Sequence, residues 1–265
     1  MTNEVQSLLH TWFENYVNRF RDANGILPAA LELKYFHSLR VAENARIIAE
    51  GLGLSAAEIS LAQGCGLVHD VGRFTQFVNY GSFRDANTVD HGTEGRRVIE
   101  ADGLRPLLDK DDWQPIACAV EYHNKKTVNL PEKLSRAEDI FLRLIRDADK
   151  IDIMDLVLQS VAEDGFRELP DMLPHIRLNG AVTTAVIDEV TKTQSVSIDK
   201  LSTLADFLVM LASWFYDFNY PPTRRLAEER DIINRIQREL PDTKAVRELL
   251  SGIKNAVGQS LAELL

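Results

Sequence analysis

Apolar positions along the chain recur at helical rather than strand spacing. Val5, Leu8, Leu9, Trp12, Phe13, Tyr16, Val17 and Phe20 follow the i, i+3, i+4 rule and lay one stripe along a helix. A second helix is predicted from about Leu31 to just before Gly51, with Gly53 beyond its end. Ser55-Ala56-Ala57-Glu58 and Ser135-Arg136-Ala137-Glu138 read as capping boxes, so helices start at both points. The first reaches about Val68 and the second covers about 136–157; further helices are predicted at about 91–102 and 112–124. The stretch from Val71 to Asp90 has no sustained period and carries Gly72, Asn79, Gly81 and Asn87, so it reads as a long functional loop with at most a short helical turn. Pro170, Pro174 and Gly180 mark breaks. Apolar residues from Ile198 to Phe218 predict one long core helix, ended by Pro221-Pro222 and followed by helices at about 223–240 and 243–263. Val182 to Val190 fits a helix as well as a strand, and no strand pair is evident. The chain reads as all-α: one domain over 1–265, its functional part in the first half and a C-terminal helical extension over about 161–265.

Composition narrows the classes of function. Of 265 residues, 30 are Lys or Arg and 40 are Asp or Glu, a net charge of −10. An apolar fraction of 45% is too high for a disordered chain of this charge. The acidic excess argues against coating a nucleic acid, which needs clustered cations, but leaves room for a small basic pocket. Cys65 and Cys118 form no CxxC pair, which fits a reducing compartment. The first residues lack the pattern of a signal peptide, and no run of about 18 apolar residues occurs. A cytoplasmic protein with no membrane and no nucleic-acid partner is expected.

The chemistry concentrates in the histidines: His10, His37, His69, His91, His123 and His175. His69 and Asp70 are adjacent at a helix end beside Gly72. On a regular helix neighbours point about 100° apart, but an abrupt end turns both toward one ion. His37 lies 32 residues earlier on its own helix, and Asp149 stands on a further segment, Arg146-Asp147-Ala148-Asp149-Lys150-Ile151-Asp152. Two imidazoles and two carboxylates make a mixed N/O set suited to a divalent transition metal with water in the open positions. His10 and His175, isolated on their helices, read as ordinary core or surface residues.

His37, then His69-Asp70, then Asp149 resembles the H…HD…D signature of the HD-domain superfamily of metal-dependent phosphohydrolases. The resemblance covers about residues 30–160 and includes the continuation His69-Asp70-Val71-Gly72-Arg73-Phe74, as in stand-alone bacterial HD proteins. It implies an HD-type helical bundle around one or two metals, with His37, His69, Asp70 and Asp149 as ligands. It also implies hydrolysis of the phosphate ester of a small metabolite, nucleotides included. His91 in Asp90-His91-Gly92 and His123 in Tyr122-His123-Asn124 are similar to the additional histidines of dinuclear subfamilies such as the HD-GYP phosphodiesterases. In that comparison Asp70 bridges the ions, and His91 and His123 bind the second. The GYP portion is missing, because Asn124-Lys125-Lys126-Thr127 follows His123, which argues against a cyclic dinucleotide. The implied cofactor is Mn, Fe, Co, Ni or Zn, one or two ions per chain, with Mg an option for a second site.

A phosphate ester resists attack because its oxygens repel a nucleophile; a metal acidifies water, and cationic side chains offset the developing charge. Arg73, three residues past the doublet, and Lys150, next to Asp149, are read with His69 and Asp70 as the catalytic set. Arg84, Lys125 and Lys126 are weaker cation candidates. Arg73 has the alternative of an exposed ion pair, and His91 and His123 that of orienting a ligand. Asp147 competes with Asp149 but falls on another face of a helix, and Asp152 either orients a ligand or is exposed. Phe74, Phe77, Tyr80 and Phe83 read as a lid or as pins holding a loop to the core. Trp214-Phe215-Tyr216 reads as core or as a homodimer contact. Two other functions use the same ligands: a di-iron centre oxidising with dioxygen, and a sensor that binds a nucleotide without turnover.

Overall fold

The structure is a computed structural model that describes residues 4–125, 133–163 and 176–262, with side chains up to residue 256. His175 and Lys126 lie outside the described residues. Its helices are α1 (Glu4–Asn18), α2 (Ala29–Gly51), α3 (Ala56–Val68), α4 (Gly72–Tyr80), α5 (His91–Ala101), α6 (Lys110–Tyr122), α7 (Arg136–Ala162), α8 (Thr184–Thr193), α9 (Leu204–Ser213), α10 (Pro221–Glu229), α11 (Ile232–Glu239) and α12 (Lys244–Ala262). Among the described residues the only extended pairing is one isolated bridge, Arg177 with Thr203. The all-α expectation therefore holds. The chain divides into two compact units, residues 1–152 and 153–265.

The first unit is built on the contact of α2 with α3, flanked by α1, α4, α5 and α6. Both capping boxes form: Ser55 with Glu58 starts α3, and Ser135 with Glu138 starts α7. Gly66 makes the α2–α3 contact close, because a Cβ there would meet the Ala42 Cα at 2.9 Å. That contact brings the helix carrying His37 against the helix that ends at His69. Burial of Leu9, Phe13, Val41, Ala45, Ile48, Leu61 and Val68 supplies the apolar drive.

The segment predicted as a loop over 71–90 is largely ordered helix. α4 starts at Gly72, where any Cβ would collide with the His91 carbonyl and the Gly95 amide, and ends at Gly81 in the left-handed region (φ 65°). Its buried face holds Phe74 and Gln76, and a buried glutamine hides the helical period from a pattern of apolar residues. Phe74 is fully buried against Phe13, Tyr16 and Phe20, so it is a pin; the Phe77 and Phe83 rings meet tilted, with centroids 5.0 Å apart, and Tyr80 is exposed.

In the second unit the predicted long helix over 198–218 is broken. A 3-10 turn at Ile198–Lys200 leads to Thr203, which caps α9 in a reciprocal box with Asp206. A second 3-10 turn, Trp214–Asp217, ends the apolar run. Pro221-Pro222 opens α10 rather than closing a helix, consistent with proline at a first helical position. Asp231, in the left-handed region (φ 53°), separates α10 from α11 where one helix was expected. Phe215 is buried as core.

Candidate metal centre

Five helices converge on one buried cluster. α2 supplies His37, the α3 C-terminus supplies His69 and Asp70, and the first part of α7 supplies Asp149. The starts and ends of α5 and α6 add His91 and His123. Three overlapping groups, His37–His69–Asp70, His69–His123–Asp149 and Asp70–His91–His123, each offer ligand atoms within 4.8 Å of one another.

Asp70 divides the cluster. Its Oδ2 faces His37 Nε2 at 3.6 Å, while its Oδ1 faces His91 Nε2 at 3.5 Å and His123 Nε2 at 3.7 Å. Asp149 Oδ1 lies 3.1 Å from His37 Nε2 and 3.7 Å from His69 Nε2. His91 Nε2 and His123 Nε2 are 3.1 Å apart.

Each imidazole is held by its outer nitrogen. His69 Nδ1 meets the Gly66 carbonyl at 2.7 Å and His123 Nδ1 the Val120 carbonyl at 3.0 Å. A carbonyl only accepts, so Nδ1 carries the proton and Nε2 presents its lone pair inward. His37 Nδ1 meets Asp152 Oδ2 at 2.6 Å, and His91 Nδ1 meets Asp85 Oδ2 at 2.6 Å. These are the carboxylate–histidine pairs that orient metal ligands.

The centre of the cluster is short of partners. His69 Nε2, Asp70 Oδ1 and Asp149 Oδ1 are buried and make no hydrogen bond. Burying such atoms unpaired costs about 1–3 kcal/mol each, more when charged. A cation between His69 Nε2 and Asp149 Oδ1 satisfies those two atoms, and one on the side of Asp70 Oδ1 that faces His91 and His123 satisfies the third, so the residues present fit divalent metal.

Charge follows the same logic. Burial pushes His69 below its ordinary value and takes His91 down to about 4, which keeps both neutral and able to bind a metal. His37 is raised: burial and Lys34 oppose its charged form, but Asp149 and Asp152 outweigh them. Burial works against the Asp70 carboxylate, yet Lys34, His123, His69 and Arg73 hold it well below the usual range. Asp149 is likewise held low against burial by His37 and His69.

The other predicted residues fall as follows. Arg73 Nη1 donates to Gln76 Oε1 at 2.9 Å, Asp85 Oδ1 at 2.8 Å and the Phe83 carbonyl, while its Nε lies 3.5 Å from Asp70 Oδ1. Lys150, half-buried, sits about 100° round α7 from Asp149. Asp147, the competitor of Asp149, is fully buried. Asp152 is buried and orients His37, so the exposed reading is excluded. Lys125 pairs with Asp90, and His10 is exposed.

Sequence reasoning missed Asp85 and Lys34. Asp85 opens a three-residue 3-10 turn, too short for any period to mark it. Lys34 carries a signal that was available: three residues before His37, it shares that residue's helix face.

No curated protein and no solved structure matches the chain. The family model described as HD domain matches residues 35–154, the interval that holds all six clustered side chains. With its buried His/Asp cluster fitting a metal site of that family, this part of the chain is an HD domain.

Proposed function

We propose that the chain is a metal-dependent phosphohydrolase that cleaves the phosphate ester of a small metabolite, nucleotides included, with water as the nucleophile. The observation that carries this reading is the set of unpartnered buried atoms in the cluster, His69 Nε2, Asp70 Oδ1 and Asp149 Oδ1, inside an HD domain. His37, His69, Asp70 and Asp149 would hold one ion, and Asp70, His91 and His123 would hold a second. A bound divalent cation supplies Lewis acidity, which polarises a phosphoryl group and acidifies water.

The chain's own residues do the rest. Asp85 and Asp152 fix two imidazoles with the lone pairs inward, and the Gly66 and Val120 carbonyls fix the other two. Arg73 is anchored at Nη1 by three acceptors, and its Nε, which makes no hydrogen bond, lies 3.5 Å from Asp70 Oδ1, so it contributes positive charge beside Asp70. Burial of the cluster excludes bulk water and strengthens each of these interactions.

The test is quantitative metal analysis of protein purified without chelator, followed by a phosphomonoester and phosphodiester panel. Stoichiometric metal with phosphate release, abolished by Asp70→Asn, is expected. A loaded protein that ignores the panel overturns the reading; two irons with a mixed-valent resonance would replace it with oxidative chemistry.

A further inference from the structure

Lys34 lies on α2 one turn before His37, and its Nζ donates to Asp70 Oδ2 at 2.9 Å. Its side chain is 17% exposed, whereas the carboxylate it touches is 3% exposed. The ammonium therefore spans the boundary between the buried cluster and solvent. It also stands 5.6 Å from the centroid of the Phe83 ring, on the loop that Arg73 ties down.

The neighbouring cations are anchored by other acceptors. Arg73 is held at Nη1 by three acceptors, Arg40 grips Asp152 through Nε and Nη2, and Lys125 pairs with Asp90. Lys34 differs from these in two ways. It hydrogen-bonds a carboxylate of the metal cluster directly, at 2.9 Å, where Arg73 Nε stays 3.5 Å away, and its flexible stem carries three donors rather than a fixed fork.

Counting charge shows what Lys34 is for. Asp70 and Asp149 together cancel one divalent cation. Once Asp70 serves a cation, the Lys34 charge is surplus whether one ion binds or two, and it repels that ion across the shared oxygen. The surplus is relieved by an anion entering from the solvent side, where the Lys34 stem is already partly exposed.

We propose that Lys34 guards Asp70 Oδ2 until a metal takes that oxygen, and then binds the non-bridging oxygens of the substrate's phosphoryl group. The class it favours is a terminal phosphate, whose two negative charges gain most from an added ammonium. This inference rests on the phosphohydrolase reading above.

The experiment uses the full chain, metal-loaded and metal-free, as wild type, Lys34→Met and Lys34→Arg. Inorganic phosphate is the probe, its affinity for the loaded proteins is measured by calorimetry, and metal affinity is measured separately. Loss of a charged hydrogen bond predicts phosphate binding weaker by about tenfold to a hundredfold in Lys34→Met, with Lys34→Arg recovering most of it. Lys34→Met is expected to bind the metal as tightly as wild type or more tightly, because a competing cation is gone. A lysine that merely supports the fold would weaken metal and phosphate binding together, and that result overturns the proposal. So does a loaded Lys34→Met that binds phosphate within about twofold of wild type. If wild type hydrolyses esters in that case, the hydrolase reading stands alone; if wild type neither hydrolyses esters nor binds phosphate, both fall. Should Lys34→Met not fold, Lys34→Gln takes its place, with the same criteria.

Discussion

Asp152 offers a measurement of how much the outer hydrogen bonds contribute to the cluster. It never faces the focus of the ligands, yet its Oδ2 takes His37 Nδ1 at 2.6 Å and its Oδ1 takes Arg40 Nε at 2.6 Å. Burial would raise this carboxyl, but His37 and Arg40 hold it below its ordinary value, so it stays charged near neutral pH. Asp152→Asn keeps the shape and one acceptor oxygen while removing the charge. His37 then loses the partner that raises its basicity, and an alternative hydrogen bond from the amide can turn the ring. Losing such a partner typically costs about 10–100-fold in metal affinity, which is about 1.4–2.7 kcal/mol. The Arg40 arm contributes little of this, because its side chain is 45% exposed and water replaces the lost contact. Arg40→Gln is therefore the control and should stay within about 1 kcal/mol of wild type. The assay is calorimetric titration of metal into metal-free protein, with nitrogen NMR reporting the His37 tautomer. The reasoning is refuted if Asp152→Asn binds metal within about twofold of wild type and its His37 tautomer is unchanged.

Other expected outcomes are as direct to measure. His91→Ala should lower the metal content per chain relative to wild type, and unchanged stoichiometry by mass spectrometry would remove His91 as a ligand of a second ion. Metal-free protein should lose stability on acidification, because His91 titrates near 4 when folded and near 6.5 when unfolded. Between those values the unfolded chain binds the proton that the native one refuses, so this stability is complete above about pH 6.5 and lost as pH falls through about 4. His69, also depressed, acts in the same direction, and the raised His37 opposes it. Urea unfolding from about pH 7 to about pH 4.5 should therefore cost wild type roughly 2–3 kcal/mol more than His91→Gln, and equal losses would contradict the shift. Phe74→Ala should cost about 3–5 kcal/mol in chemical unfolding, since the ring is fully buried among Phe13, Tyr16 and Phe20; a loss under about 1 kcal/mol would show that α4 does not depend on this pin.

Most helices of the first unit, both capping boxes and all six residues of the cluster were legible in the sequence. Helical period and capping are local: three or four residues decide them, and a chain of letters records those neighbours directly. The histidines and the HD doublet carry their chemistry wherever they fall. α4 was not legible, because its buried face includes Gln76, whose amide is satisfied by Arg73, Asp85, Thr88 and the Val89 carbonyl. The break before α9 was hidden by an apolar period that runs through Thr203, although Ile198 proves 54% exposed and Leu201 buried. What gathers six ligand residues into one cluster is tertiary. Asp152 reaches His37 across 115 positions of chain, and Lys34 reaches Asp70 across 36. The sequence alone determined which groups could hold a metal; packing of α2 on α3, of α3 on α6 and of α6 on α5, with α7 joined to α2 through His37–Asp152, decided that their lone pairs meet. Direction and distance between side chains far apart in sequence are set by how helices touch, and no local pattern encodes that contact.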